Sequence, residues 1–196
     1  MEFFTDPTHY QLVRAVHLLG VAIGLGGATI TDILFVRMLR DRRVRSDEHA
    51  LLKTLSGVIW VGVFLLASSG LLLFSQNWEV LLESAKFVAK MSAFVVLIIN
   101  GLILGLYISP ALPKIQFSKK QDSTTELARK RMFAFILGGV SASSWYTAFV
   151  MAFVPTRLAI PTWSLALGYV GLLIVVLLGG YTAFHLQRKF GVSANH

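Results

Sequence analysis

Between Leu55 and Phe74 the chain reads LSGVIWVGVFLLASSGLLLF, a run without a single Asp, Glu, Lys or Arg. An α-helix of about 20 residues spans the roughly 30 Å of a bilayer's hydrocarbon core, where every backbone N–H and C=O must be bonded within the segment. The run lacks the apolar–polar alternation of a barrel strand, so it reads as a transmembrane helix. Met91 to Ile108, Met132 to Val154 and Thr162 to Gln187 are equally free of charge, and Ala15 to Val36 is interrupted only by Asp32. The expectation is an all-α polytopic transmembrane helical bundle, a single domain over residues 1–196. Its five spans are expected at about 12–37, 53–75, 86–108, 131–154 and 162–187.

Composition leads to the same class. Of 196 residues, 55% are hydrophobic and 14% charged, and mean hydropathy is +0.68. A small soluble domain has too much surface to cover with so few polar residues. The net charge of +8 would suggest nucleic acid only if it formed a basic face on a soluble body. Here it sorts by loop instead. Arg37 to Lys53 carries six Lys and Arg, Lys114 to Arg131 another six, and the tail Arg188 and Lys189; the opposite side has Arg14, Lys86, Lys90 and Arg157. Cytoplasmic loops are enriched in Lys and Arg, which places the N-terminus outside, the C-terminus in the cytoplasm, and the chain in a cell membrane of the bacterial inner type. Tyr10, Trp78 and Trp163 fall at the outer interface. The partner is therefore the lipid bilayer, with other membrane subunits or a second copy as further candidates, and no nucleic acid is needed.

Local signals mark the boundaries. Asp6-Pro7 reads as an N-cap with proline in the first turn, Ser123-x-x-Glu126 as a capping box, and Pro161-Thr162 as another helix start. Pro110 and Pro113 are expected to close the third helix, and the second to extend back into Ser46 to Lys53. No internal repeat or long linker divides the chain. The start, Met1-Glu-Phe-Phe-Thr-Asp, has no basic region, and the apolar run after it is too long for a cleavable signal peptide. With no Cys, disulfides and thiolate chemistry are excluded.

Ionisable residues within a span are costly and therefore mark candidate sites. His17 shares a helical stripe with Gly20, Gly24, Ala28 and Thr31, so it faces a neighbouring helix; it is a candidate haem ligand or proton carrier, or else a hydrogen-bonded structural histidine. Lys90 is at a similar depth and needs an anion, such as a propionate, a substrate carboxylate, Glu79 or Glu83; Lys86 is expected to snorkel to the interface. Asp32 lies roughly 22 Å from His17 along the axis, near the opposite end. There it is a candidate for an ion pair with an inner His or Arg, or for a proton relay with His185. Asn100 and the run Ser141-Ala-Ser-Ser-Trp145, including Ser144, lie at mid-depth and are expected to bond between helices, with Gly101, Gly138 and Gly139 allowing close contact; the alternative is a polar line joining the His17/Lys90 and Asp32/His185 clusters. Met91 and Met151 are gap-fillers or candidate sixth ligands to a haem. There is no His-x-x-x-His pair, phosphate loop or serine-hydrolase elbow.

The stretch Val16-His-Leu-Leu-Gly-Val-Ala-Ile-Gly-Leu-Gly-Gly resembles the opening helix of the copper-resistance D (CopD)-like proteins and the related HemJ-type membrane proteins. Ala85-Lys-Phe-Val-Ala-Lys-Met-Ser is similar to their lysine-bearing helix. The resemblance covers the first three spans and departs from the families in span number. It implies a haem b in the outer half, with His17 as metal ligand to the iron, Lys90 beside a propionate, and a role in electron transfer or redox chemistry. The residues alone leave two other classes open. One is a small transporter or channel for a solute, ion or proton using His17/Lys90 and Asp32/His185; the other is a structural subunit packed through its glycine stripes.

Overall fold

The computed structural model describes residues 7–41, 46–76, 78–114, 125–155 and 160–192, with side chains described for 7–37, 47–76, 78–112, 129–155 and 160–182. Six α-helices follow one another: α1 (Pro7–Asp41), α2 (Ser46–Phe74), the short α3 (Trp78–Leu82), α4 (Ala85–Ile103), α5 (Thr125–Phe153) and α6 (Ser164–Val192). Five stretches are long and apolar enough to cross a membrane: Pro7–Arg37, Asp47–Phe74, Ala85–Leu112, Arg129–Phe153 and Ser164–Thr182. The chain fits a multi-pass membrane protein.

Boundaries shift for local reasons. Proline in the first turn costs no hydrogen bond, and α1 starts at Pro7, as the Asp6-Pro7 pair predicts, ahead of the apolar stretch expected from about residue 12. The start of α2 at Ser46 matches the expected extension, and Asp47 and Glu48 in its first turn complement the helix dipole. Asp6 and Ser123 lie outside the described residues. At Pro161 the helix begins slightly later than expected: the Ser164 N–H bonds the Pro161 carbonyl at 3.0 Å, so Pro161 to Trp163 form a turn before α6.

The prolines of the third span do not close it where expected. Pro110 has no N–H to bond the Leu106 carbonyl, and the chain adjusts by widening before it. Leu104–Ile108 forms a π-helical turn, in which the Ser109 N–H reaches back five residues to the Leu104 carbonyl. Ser109–Lys114 then tightens into a 3₁₀ segment that holds both prolines.

Exposure is inverted relative to a soluble protein. Phe64, Leu106 and Phe153 are each at least 70% exposed, while Ser69, Asn100 and Ser144 are at most 3% exposed. Lipid solvates the first set; the second needs partners inside the bundle. Tyr10, Trp78 and Trp163 are also exposed.

Two groups of helices make up the bundle. α1 and α2 pack as a hairpin, and α4, α5 and α6 pack on one another; α1 against α5, and the 3₁₀ segment against α2, join the groups. The hairpin is a backbone-to-backbone contact: a Cβ added to Gly62 would lie 2.6 Å from the Gly24 nitrogen and 2.7 Å from its Cα. This is the close approach that the stripe below His17 predicts. In the other group, the Ser144 hydroxyl bonds the Val140 carbonyl at 2.6 Å and meets the Tyr169 hydroxyl of α6 at 2.7 Å.

Candidate functional site

Side chains of α1, α2, α4 and α5 border a space among the four helices. Two apolar clusters bound it. One contains Leu52, Ile108, Ala111, Leu112 and Ala134; the other contains Ala28, Val63, Leu97 and Trp145. Between them is a cavity of about 160 Å³, lined by residues of α1, α2, α4 with its π turn, and α5.

Polar groups reach this cavity from three helices. Asp32 and Thr31 come from α1, Ser56 from α2 and Ser141 from α5. Hydroxyls in lipid-embedded helices commonly bond back to their own carbonyls. Thr29, Thr31, Ser68 and Ser143 do so here. Ser56 and Ser141 do not, and among the described residues neither they nor Asp32 has a hydrogen-bond or ion-pair partner. The ion pair expected for Asp32 is thus not formed with any described side chain. His185 belongs to α6, but its side chain lies outside those described.

Trp60 and Trp145 bring indoles to the same space. Trp145, 4% exposed, fits the gap at Gly24, where an added Cβ would lie 2.3 Å from its Cη2. Along α1 the order is therefore His17, then Gly24 with Trp145 against it, then the cavity residues Ala28, Thr31 and Asp32.

The π turn shapes the α4 wall. Gly101 and Ser109 both line the cavity, eight residues apart. A regular α-helix, at about 100° per residue, would leave them some 80° apart around the axis. The wider i→i+5 turn winds less per residue and recovers most of that offset. His49 of α2 fixes the segment that follows, its Nε2–H donating to the Ser109 carbonyl at 3.0 Å.

The other candidate residues lie away from the cavity lining. His17 Nδ1 is 3.0 Å from the Ser69 hydroxyl. That hydroxyl donates to the Leu65 carbonyl, so the assignment that satisfies both makes Nδ1–H the donor and leaves the lone pair on Nε2. Lys90 is within electrostatic range of His17 and Lys86, with no carboxylate bonded to it among the described residues. Lys86 does not snorkel to water alone: its ammonium donates to the Ala152 carbonyl at 3.1 Å, in the last turn of α5, where a cation suits the dipole.

Asn100 donates through Nδ2 to the Leu137 carbonyl at 3.0 Å, while its Oδ1 is buried without a partner. With Ser144 bonded to Tyr169, both mid-depth residues bond between helices, and neither lines the cavity. α4 and α5 pack on one another as expected, though Gly101 and Gly139 each face a side chain. Gly101 faces Trp60, with its Cβ position 3.4 Å from the indole, and Gly139 faces Val176 at 3.0 Å.

His17 is arranged as a ligand would be, one nitrogen anchored and the other carrying a lone pair. Met91 is 40% exposed. Met151 is half-buried and has no bond linking it to His17 among the described residues. No group of three or more His, Cys, Asp and Glu able to hold a metal ion occurs among the described residues.

Comparison with known proteins finds no matching family model, no matching curated protein and no matching solved structure.

Sequence reasoning missed Ser56, Trp60 and His49, and it singled out Ser141 and Trp145 only as part of a mid-depth packing run or polar line, not as cavity lining. One signal was available for Ser56: it is a small polar residue on an otherwise apolar span, as Ser141 and Ser144 are.

Proposed function

We propose that the chain is a small membrane transporter whose working site is the cavity around Asp32, in a bacterial-type inner membrane with the basic end of the bundle in the cytoplasm. One observation supports this reading above the others: an acid and two hydroxyls, from three helices, share an apolar cavity with no protein partner among the described residues. A carboxylate in a span is expensive, and one without a partner is accounted for by a cation or proton that visits it. Ligand sites are typically concave, mostly apolar, and carry a few convergent polar groups. Asp32 serves as the charge-handling group, and Ser56 and Ser141 as the groups that orient what it binds. Trp145 at Gly24 forms the end wall toward the His17/Lys90 half.

The test uses the purified chain in proteoliposomes, with charge movement recorded on a supported membrane after steps of protons, sodium or small organic ammonium ions. The expected result is a current for at least one cation that empty liposomes lack and that Asp32→Asn abolishes. No current above empty liposomes for any of them, or an undiminished current in Asp32→Asn, overturns the reading.

A second reading, haem b with electron transfer in the outer half, is favoured by the His17–Ser69 hydrogen bond. Visible spectra of the haem-replete protein, oxidised and dithionite-reduced, decide it: a Soret band lost in His17→Ala supports it, and a colourless protein removes it.

A further inference from the structure

We infer that the cation taken up by this cavity is a monovalent organic ammonium ion with a hydrophobic body about as large as a benzene ring. The inference rests on the transport reading and adds the substrate class to it.

Size is the first constraint. An apolar protein cavity of about 150 Å³ holds one benzene molecule, and this cavity is about 160 Å³. A bare inorganic ion would leave most of it unfilled, and a fully hydrated one would set its water against Leu97, Leu104 and Ile108.

Charge is the second. Asp32 is the single carboxylate among the lining residues, which matches one positive charge. A divalent ion calls for six or more oxygen ligands and usually for more than one carboxylate. The lining side chains supply six oxygens at most, two on Asp32 and one each on Thr31, Ser56, Ser109 and Ser141, but only one carboxylate where a divalent ion usually takes more.

Wall chemistry is the third. Indole is the strongest aromatic partner for an ammonium group, and Trp60 and Trp145 both line the space. The cation's head is matched by the carboxylate and its body by the rings and aliphatic side chains. A neutral apolar occupant would leave Asp32 facing hydrocarbon with its charge unmet.

The chain in detergent micelles is titrated with cyclohexylammonium and, separately, with methylcyclohexane, which has nearly the same shape and no charge. Binding is read by equilibrium dialysis and by tryptophan fluorescence. The expected result is saturable binding of the cation at one per chain, at least about tenfold weaker in Asp32→Asn and largely kept in Asp32→Glu. Ser141→Phe, which fills the cavity from α5 and leaves the acid in place, should abolish it, and it keeps the inference testable if Asp32→Asn does not fold. Equal binding of the neutral analogue, unchanged binding in Asp32→Asn, or unchanged binding in Ser141→Phe overturns the inference. Asp32-dependent proton or sodium currents without cyclohexylammonium binding overturn this substrate class and leave the transport reading standing. Charge-dependent binding without any current supports the class and removes transport.

Discussion

Replacing Gly62 by alanine tests the α1–α2 contact on which the rest of the bundle is built. The added Cβ would lie 2.6 Å and 2.7 Å from backbone atoms of Gly24 and 3.0 Å from the Gly20 carbonyl. Carbon contacts are comfortable at about 3.5–4.0 Å, so the two helices must part by about 1 Å. Backbone cannot turn aside as a side-chain tip can. A gap of that width forfeits between a quarter and a half of the dispersion energy at each contact it opens. In lipid, helices have no hydrophobic drive to close it, because tails solvate apolar surface as well as side chains do. Overpacking of this kind costs about 1–3 kcal/mol. Gly57 on α2 and Gly26 on α1, where an added Cβ meets nothing within 4 Å, supply controls that absorb the helix-propensity gain of about 0.5–1 kcal/mol. Unfolding in mixed micelles by SDS, followed by tryptophan fluorescence, should place Gly62→Ala about 2 kcal/mol below Gly57→Ala. Agreement of the two within about 0.5 kcal/mol, the usual size of an inconsequential change, refutes the close approach.

Three further predictions use the same assay. Gly24→Ala should destabilise because its Cβ meets the Trp145 ring, and Trp145→Phe, which shortens that ring, should recover about 1 kcal/mol or more in the double variant; equal costs in both backgrounds would disprove the contact. Ser144→Ala and Tyr169→Phe should couple by about 0.5–1.5 kcal/mol through their shared hydrogen bond, and additivity within about 0.3 kcal/mol would show the bond is not made. Asn100→Leu should change stability by less than about 1 kcal/mol, since the lost bond to the Leu137 carbonyl is offset by removing an oxygen buried without a partner; a much larger loss would show that Oδ1 has a partner after all.

What the sequence makes legible is local. Five spans follow from runs without charge, and the Gly20/Gly24 stripe follows from 100° spacing on one helix. Asp32 stands out because any acid in such a run is costly. The cavity is illegible for a different reason: it arises from a gap left among α1, α2, α4 and α5, a relation between segments with no mark in any one of them. Ser56 and Trp60 look like ordinary packing residues until Ser141 and Trp145 stand across from them. His17 and Asp32, on one helix, invited a continuous polar line, but the intervening Gly24 receives an indole. The π turn has no signature in Leu-Gly-Leu-Tyr-Ile; only Pro110 hints at it, and proline more often ends a helix than widens the turn before it.

That turn holds one residue more than a regular helix would use. Deleting a single residue from Leu104–Ile108 would let the backbone close into ordinary α-helix with little disturbance to its own bonding, whereas a deletion elsewhere in α4 would have no such slack to draw on. The far end would keep its facing in the first case, because seven α-helical steps from Gly101 to Ser109 turn through about 700°, close to two full turns. In the second, Ile108, Ala111 and Leu112 would swing by about 100°, away from Leu52 and Ala134, and the Ser109 carbonyl would leave His49. The length of α4 outside that turn is thus tied to the facing of its far end, and the cavity wall is the part of the protein that records any change in it.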